Sequence, residues 1–85
     1  MTQVCAKTWG IDGIRVNCIA PGIIKTEFSR ALWENEEILT HATSNAALRR
    51  IGMPDEMAGA VIFLSSEASS FVSGQTIVMD GGGIL

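Results

Sequence analysis

The chain has 85 residues, 47% of them hydrophobic and 18% charged, with nine glycines, which is the make-up of a soluble α/β globule and not of a disordered, fibrous or membrane-embedded chain. A net charge of −3, a pI near 4.9 and no basic cluster larger than Arg49-Arg50 exclude a nucleic-acid or anionic-membrane partner, because an acidic surface repels phosphate. At this length there is one domain at most, and burial and ordering so nearly cancel that the chain has no margin for an exposed sheet edge or an open hydrophobic face.

Residues 1–13 contain Lys7, Asp12 and two glycines, so they form no signal-peptide core, and no apolar run reaches the length of a bilayer; the expected address is the cytoplasm. Val4, Cys5 and Thr8/Trp9 fall at helical spacing over residues 2–9, with Gly10 as a glycine stop. A helix starting at Met1 has no capping residue ahead of it and is too short to form unaided. Gly10 to Gly13 makes a turn into a strand over Ile14–Ala20, with Ile14, Val16 and Cys18 on one face and Arg15, Asn17 and Ile19 on the other. Asn17 is expected to bond backbone in a neighbouring element. Cys5 and Cys18 have no CxxC neighbour and too few companions for a metal site, so both are expected to be reduced core thiols.

Pro21-Gly22 ends this strand, since proline cannot donate to a ladder and glycine frees the backbone. A short helix is predicted from Thr26 to Trp33, with Phe28, Ala31 and Leu32 on its apolar stripe. Asn35 caps a second, with Glu36 and Glu37 in the first turn, where carboxylates suit the positive helix end, and Ile38, Leu39 and Ala42 as the apolar side. The clearest helix begins at Pro54, followed by Asp55 and Glu56 and by Met57, Ala58, Val61, Ile62 and Leu64 at spacings of three and four. Its interior Gly59 costs up to about 1 kcal/mol, which close packing on a sheet could offset. After a small, polar loop from Ser65 to Ser73, the β-branched run Gln75–Met79 makes a final strand ending in Asp80 and three glycines. Strand, helices, strand is the layout of a βαβ unit with parallel strands and a right-handed crossover.

Residues that invite functional readings have plainer ones beside them. Thr26 can cap the helix that follows it, and Phe28 and Trp33 can be packing residues. His41, three residues before Ser44, lacks the carboxylate and nucleophile elbow of a catalytic arrangement and is expected to face solvent. One of Arg49 and Arg50 is expected to be solvated and the other to pair with Asp55 or Glu56.

Three segments resemble, in order and at compatible spacing, the closing third of short-chain dehydrogenases/reductases: PGIIKT after the first strand, LRRIGMPDEMA at the start of the long helix, and SGQTIVMDGG at the last strand. The resemblance implies an α/β fold that is the C-terminal part of a Rossmann-type doubly wound parallel sheet, with residues 1–85 as one partial domain and 27–53 as a substrate lid. It implies NAD or NADP as cofactor, with Pro21 and Gly22 shaping the bend, the Ile24 backbone pairing with the nicotinamide carboxamide and the Thr26 hydroxyl bonding the carboxamide or a phosphate oxygen. Phe28, Leu32 and Trp33 would line an apolar pocket for a small alcohol or carbonyl substrate. Residues 1–9 would correspond to the end of the helix that carries the family's Tyr-x-x-x-Lys, which would lie upstream of Met1.

The sequence departs from the family's pattern in three ways. Gly81-Gly82-Gly83 follows the last strand and opens no helix, there is no tyrosine, and Lys7 lies too late in its helix to replace the missing lysine. No catalytic residue can be assigned, and these residues are expected to be inactive alone. The chain is then either the C-terminal piece of an NAD(P)-dependent oxidoreductase or, alternatively, a non-catalytic α/β module that pairs its sheet with another chain or forms a homo-oligomer.

Overall fold

Two short strands, β1 (Cys18–Pro21) and β2 (Thr76–Met79), run in parallel with Cys18 opposite Thr76 and Pro21 opposite Met79, in a computed structural model that describes residues 1–83. Between them come α2 (Arg30–Trp33), α3 (Glu36–Ala42) and α4 (Pro54–Ser65), and α1 (Thr2–Trp9) precedes β1. This is the strand–helices–strand layout that the sequence predicts. Pro21 belongs to the ladder instead of ending it, because the next ladder bond comes from the Gly22 amide to the Met79 carbonyl at 3.0 Å and asks nothing of the proline nitrogen.

The first half of the predicted strand, Ile14–Asn17, does not join the ladder. It lies instead against the loop that leads into β2: the Gly74 amide donates to the Val16 carbonyl at 2.7 Å. Asn17 bonds neighbouring backbone as expected, and at both ends of its amide. Its Nδ2 donates to Val72 O at 3.0 Å, and its Oδ1 accepts from the Gln75 amide at 3.1 Å. Arg15, which the alternating pattern placed on a face, donates to Val72 O at 3.1 Å and to Leu64 O at 2.9 Å. It thereby caps the C-terminal end of α4, where unpaired carbonyls and the helix dipole both favour a cation.

The stop after α1 comes three residues later than Gly10. Gly10 is right-handed (φ −60°) and its amide still donates to Ala6 O, so the chain runs on through a tight turn until Gly13, whose φ of 76° reverses it. Asn35 caps α3 as predicted, its Oδ1 accepting from the amides of Glu37 at 2.9 Å and Ile38 at 3.3 Å. The predicted helix from Thr26 shrinks to α2, because hydroxyl-to-backbone bonds divert residues 26–29 into a separate turn. Nothing approaches Gly59 within 4 Å, so close packing on a sheet does not offset its cost.

No hydrophobic residue among the described residues is buried; only Thr43 and Ser69 are, and of these only Ser69 completely. Cys5 and Cys18 are free and half-buried, so the expectation of two core thiols fails with the expectation of a closed core. Val61, Ile62 and Phe63 of α4 are exposed, and Phe71 is wholly so. The accessible surface is 6332 Å², against ~4,900 Å² for a compact chain of this mass. The radius of gyration is 15.6 Å, against about 12 Å for a compact domain of this length. The apolar faces thus lie uncovered on an elongated frame 50 Å long and 22 by 20 Å across. No described helix is long and apolar enough to cross a membrane.

Two glycines give opposite expectations. A Cβ at Gly22 would lie 2.8 Å from the backbone Cα of Asp80, so Gly22→Ala must push β1 and β2 apart at their ends and should cost about 1–3 kcal/mol in urea denaturation. At Gly10 nothing lies within 4 Å and φ suits any residue, so Gly10→Ala should stabilise by about 0.4–1 kcal/mol. Asn17→Ala orphans the Gln75 amide, leaves Val72 O to Arg15 alone and should lower stability by about 1–3 kcal/mol in the same assay.

Candidate functional site

The loop that leaves β1 lies at the carboxyl end of a parallel strand, where open α/β sheets place their ligands. It is fixed from two sides. A parallel bridge ties it to the segment before α4, with the Lys25 amide donating to Gly52 O at 2.8 Å and the Gly52 amide to Ile23 O at 2.9 Å. A Cβ on Gly52 would meet the Ile24 Cδ1 at 2.7 Å, so the missing side chain lets the two segments come this close. Trp33 braces the far side: its Nε1 donates to Thr26 O at 2.9 Å, and the Lys25 ammonium sits 4.8 Å from its ring centroid.

Between those anchors, the Ile24 peptide groups point away from Gly52. The Ile24 amide has no hydrogen-bond partner among the described residues, and its carbonyl is met only by the Ser29 hydroxyl, at 2.5 Å. One free donor and one carbonyl with a spare lone pair, on a single residue, are what a flat carboxamide can pair with without a rotamer cost. The Thr26 hydroxyl stands two residues on, accepting from the Ser29 amide at 3.3 Å. It therefore caps a turn of its own and not the helix that follows, whose N-cap is Ser29, while its proton has only a long 3.3 Å contact to the Ser29 oxygen.

The structure brings Gly22, Ile24 and Thr26 together on this loop, with Pro21 at the end of β1. Phe28, Leu32 and Trp33 do not gather into a pocket. Phe28 projects fully into solvent, Leu32 is exposed, and Trp33 is spent on bracing the loop. Ser44 donates to the backbone carbonyl of His41 at 2.7 Å, not to its imidazole, so the pair forms no dyad. No group of three or more His, Cys, Asp or Glu among the described residues could hold a metal.

Beside the loop runs a groove of about 540 Å³, within the usual range for small-molecule sites. Gly22 and Ile23 form one wall, Met79 and Asp80 another, and Thr43, near the end of α3, and Met57 of α4 complete it. The Leu48 amide closes one end on Gly81 O at 2.9 Å, and Asp80 holds the tail by accepting from the Gly82 amide at 3.0 Å. Sequence reasoning missed this groove because it depends on β2 and the end of α3 meeting across some forty residues. Ser29 was also missed, although the Thr-x-x-Ser spacing is a signal for a hydroxyl-capped turn.

The family described as enoyl-(acyl carrier protein) reductase matches residues 1–83. The chain is 45% identical over 82 residues to dehydrogenase/reductase SDR family member 4 of Oryctolagus cuniculus, covering 96% of this chain and 32% of that protein. It is 49% identical over 82 residues to the protein of the same description in Homo sapiens, of which it covers 30%. It thus spans about a third of the length of these relatives. Among solved structures, 4-hydroxyisoleucine dehydrogenase complexed with NADH aligns at a TM-score of 0.92 with 33% identity, over 96% of this chain and 34% of the other. YwfH, an NADPH-dependent reductase involved in bacilysin biosynthesis, aligns at 0.88 with 30% identity, over 96% and 34%.

As expected, one of the paired arginines finds an acid. Arg50 grips Glu56 through two bonds of 2.8 Å on the rim of the groove, while Arg49 carries a left-handed φ of 53°. The Arg50 guanidinium, and then the Met53 amide, hold the Glu56 carboxyl down at about 2. A depressed carboxyl stabilises the fold above its unfolded pKa and loses that contribution as pH falls through its folded value. The urea midpoint should therefore fall between pH about 4.5 and about 2. Glu56→Gln should lower the midpoint at pH 6 and match the parent near pH 2, a convergence that unfolding curves at the two pH values will check.

Proposed function

Because the chain belongs to the short-chain dehydrogenase/reductase family, we propose that it is the C-terminal third of an NAD(P)-dependent oxidoreductase, supplying the loop beside the nicotinamide and the lid over a small alcohol or carbonyl. The observation that carries this reading is the Ile24 backbone pair: an amide without a partner among the described residues and a carbonyl with one lone pair to spare, with the Thr26 hydroxyl two residues on. These groups fit a carboxamide. Bound there, a nicotinamide would accept or deliver the hydride. Ile24 would hold the plane of the amide through backbone atoms, Thr26 would add one hydroxyl bond, and the bridge to Gly52 would keep the loop from swinging. Residues 27–53, with α2 and α3, would exclude water from above.

Among the described residues no glycine-rich turn opens a helix for the phosphate end of such a cofactor. The glycine run 81–83 follows β2 and opens no helix among the described residues, and without a tyrosine or a suitably placed lysine there is no proton donor of the family's kind. In this reading those groups come from the other two thirds of the sheet, and the short substrate-side residues Phe28 and Leu32 acquire neighbours only there. Whether the preferred cofactor is NAD or NADP is decided outside these residues.

A second reading is favoured by the bare apolar surface. About 1,400 Å² more surface is exposed than a compact chain of this mass would show, which exceeds the ~800 Å² that each partner buries in a standard protein interface. An α/β module that adds its two strands to another chain's sheet would cover it. The two readings agree that another body of protein lies against these faces.

The isolated chain should show no binding of NADPH or NADH in a fluorescence titration, and micromolar binding would refute the division of labour proposed. Joined behind the first two thirds of the 45%-identical relative, it should restore cofactor-dependent reduction of a hydrophobic carbonyl. In that assembly Thr26→Val should raise the cofactor KM about tenfold through loss of one hydrogen bond.

A further inference from the structure

We infer that Ser29 is a positioning residue of the nicotinamide loop, an assignment that rests on the oxidoreductase reading above. Its hydroxyl is the hub of the turn. The oxygen accepts from the Thr26 amide at 3.0 Å, and the proton goes to the Ile24 carbonyl at 2.5 Å, with Thr26 O a poorer alternative at 3.2 Å. The Ser29 amide in turn donates to the Thr26 hydroxyl oxygen at 3.3 Å. One half-buried serine thus contacts both residues that would meet the cofactor, and contacts them through the atoms that fix their direction.

A hydroxyl has one proton and two acceptor sites, and the short bond to Ile24 uses the proton. That bond occupies one lone pair of the Ile24 carbonyl and fixes the tilt of its peptide jointly with the Lys25 amide of the same peptide unit, which donates to Gly52 O. The amide bond from Ser29 to Thr26 occupies an oxygen lone pair of Thr26 and leaves its proton available to an acceptor outside the turn. Trp33 fixes only the Thr26 carbonyl and is too far along the chain to orient the Ile24 peptide. Without Ser29 the bridge to Gly52 would still anchor the two peptide units that flank Ile24, while the Thr26 amide would lose its acceptor and the Ile24 carbonyl its side-chain donor. No other side chain among the described residues bonds the Ile24 carbonyl.

The test uses the joined oxidoreductase of the preceding subsection with NADPH or NADH, whichever it turns over. Ser29→Ala should raise the cofactor KM about five- to twentyfold, with the carbonyl KM changed less than about twofold, and Ser29→Thr, which keeps the hydroxyl, should recover most of the loss. An unchanged cofactor KM in Ser29→Ala, alongside a raised one in Thr26→Val, overturns the assignment while leaving the oxidoreductase reading intact. Equal losses in both KM values that Ser29→Thr fails to rescue also overturn it, since they mark a merely structural residue. If the joined protein shows no cofactor dependence at all, the oxidoreductase reading fails instead. Amide exchange in the 85-residue chain then decides the structural premise. Faster exchange at Thr26 in Ser29→Ala, with Gly52 unchanged, supports it, and identical exchange at Thr26 overturns it.

Discussion

The crossover between the two strands is held by polar side chains reaching across more than fifty residues of sequence. Arg15 and Asn17 both donate to the Val72 carbonyl, Arg15 also takes the last carbonyls of α4, and Asn17 accepts from the Gln75 amide just before β2 begins. These bonds fix where β2 starts relative to β1, and hence the register that sets Gly22 against Asp80. The loop after β1 and the groove beside it both depend on that placement. In a chain with no fully buried hydrophobic side chain among its described residues, such stitches take on an alignment that packing would ordinarily supply.

The loop after β1 is shaped by backbone more than by side-chain chemistry. The polar groups it leaves available are the Ile24 amide and carbonyl and the Thr26 hydroxyl. Most of the surrounding residues serve to hold them: Gly52 by what it lacks, Trp33 by a brace on the Thr26 carbonyl, and Ser29 by a hydroxyl between Ile24 and Thr26. Backbone groups carry no rotamer entropy, so a loop fixed in this way keeps its peptide groups in one orientation. Trp33 illustrates the trade: an aromatic that the family resemblance offers to a substrate is occupied in bracing the loop.

The openness of the molecule has the same origin. The βαβ unit of a doubly wound sheet is flanked by other strands and by helices on both faces, and here α4 leaves Val61, Ile62 and Phe63 outward while Phe71 is bare. Chain length makes this unavoidable, since a sheet of two strands cannot bury its faces and its edges together. A structural alignment that covers nearly all of this chain and about a third of each similar solved structure fits the same picture.

Much of the framework was legible in the residues themselves. Alternation and the Pro54-Asp55-Glu56 start gave the strands and the long helix, Asn35 marked its own cap, and Asn17 declared a bond to neighbouring backbone, because periodicity and capping are local properties carried by adjacent side chains. Tertiary structure alone decided that Gly13 and not Gly10 reverses the chain, that Ile14–Asn17 meets a loop instead of a strand, and that Arg15 caps α4. It also decided that Cys5 and Cys18 stay half-exposed, and that Ser29 rather than Phe28 or Leu32 bears on the loop. Each of those outcomes turns on which groups far apart in sequence come within hydrogen-bonding or contact distance. Spacing along the chain cannot encode such distances before the strands have paired.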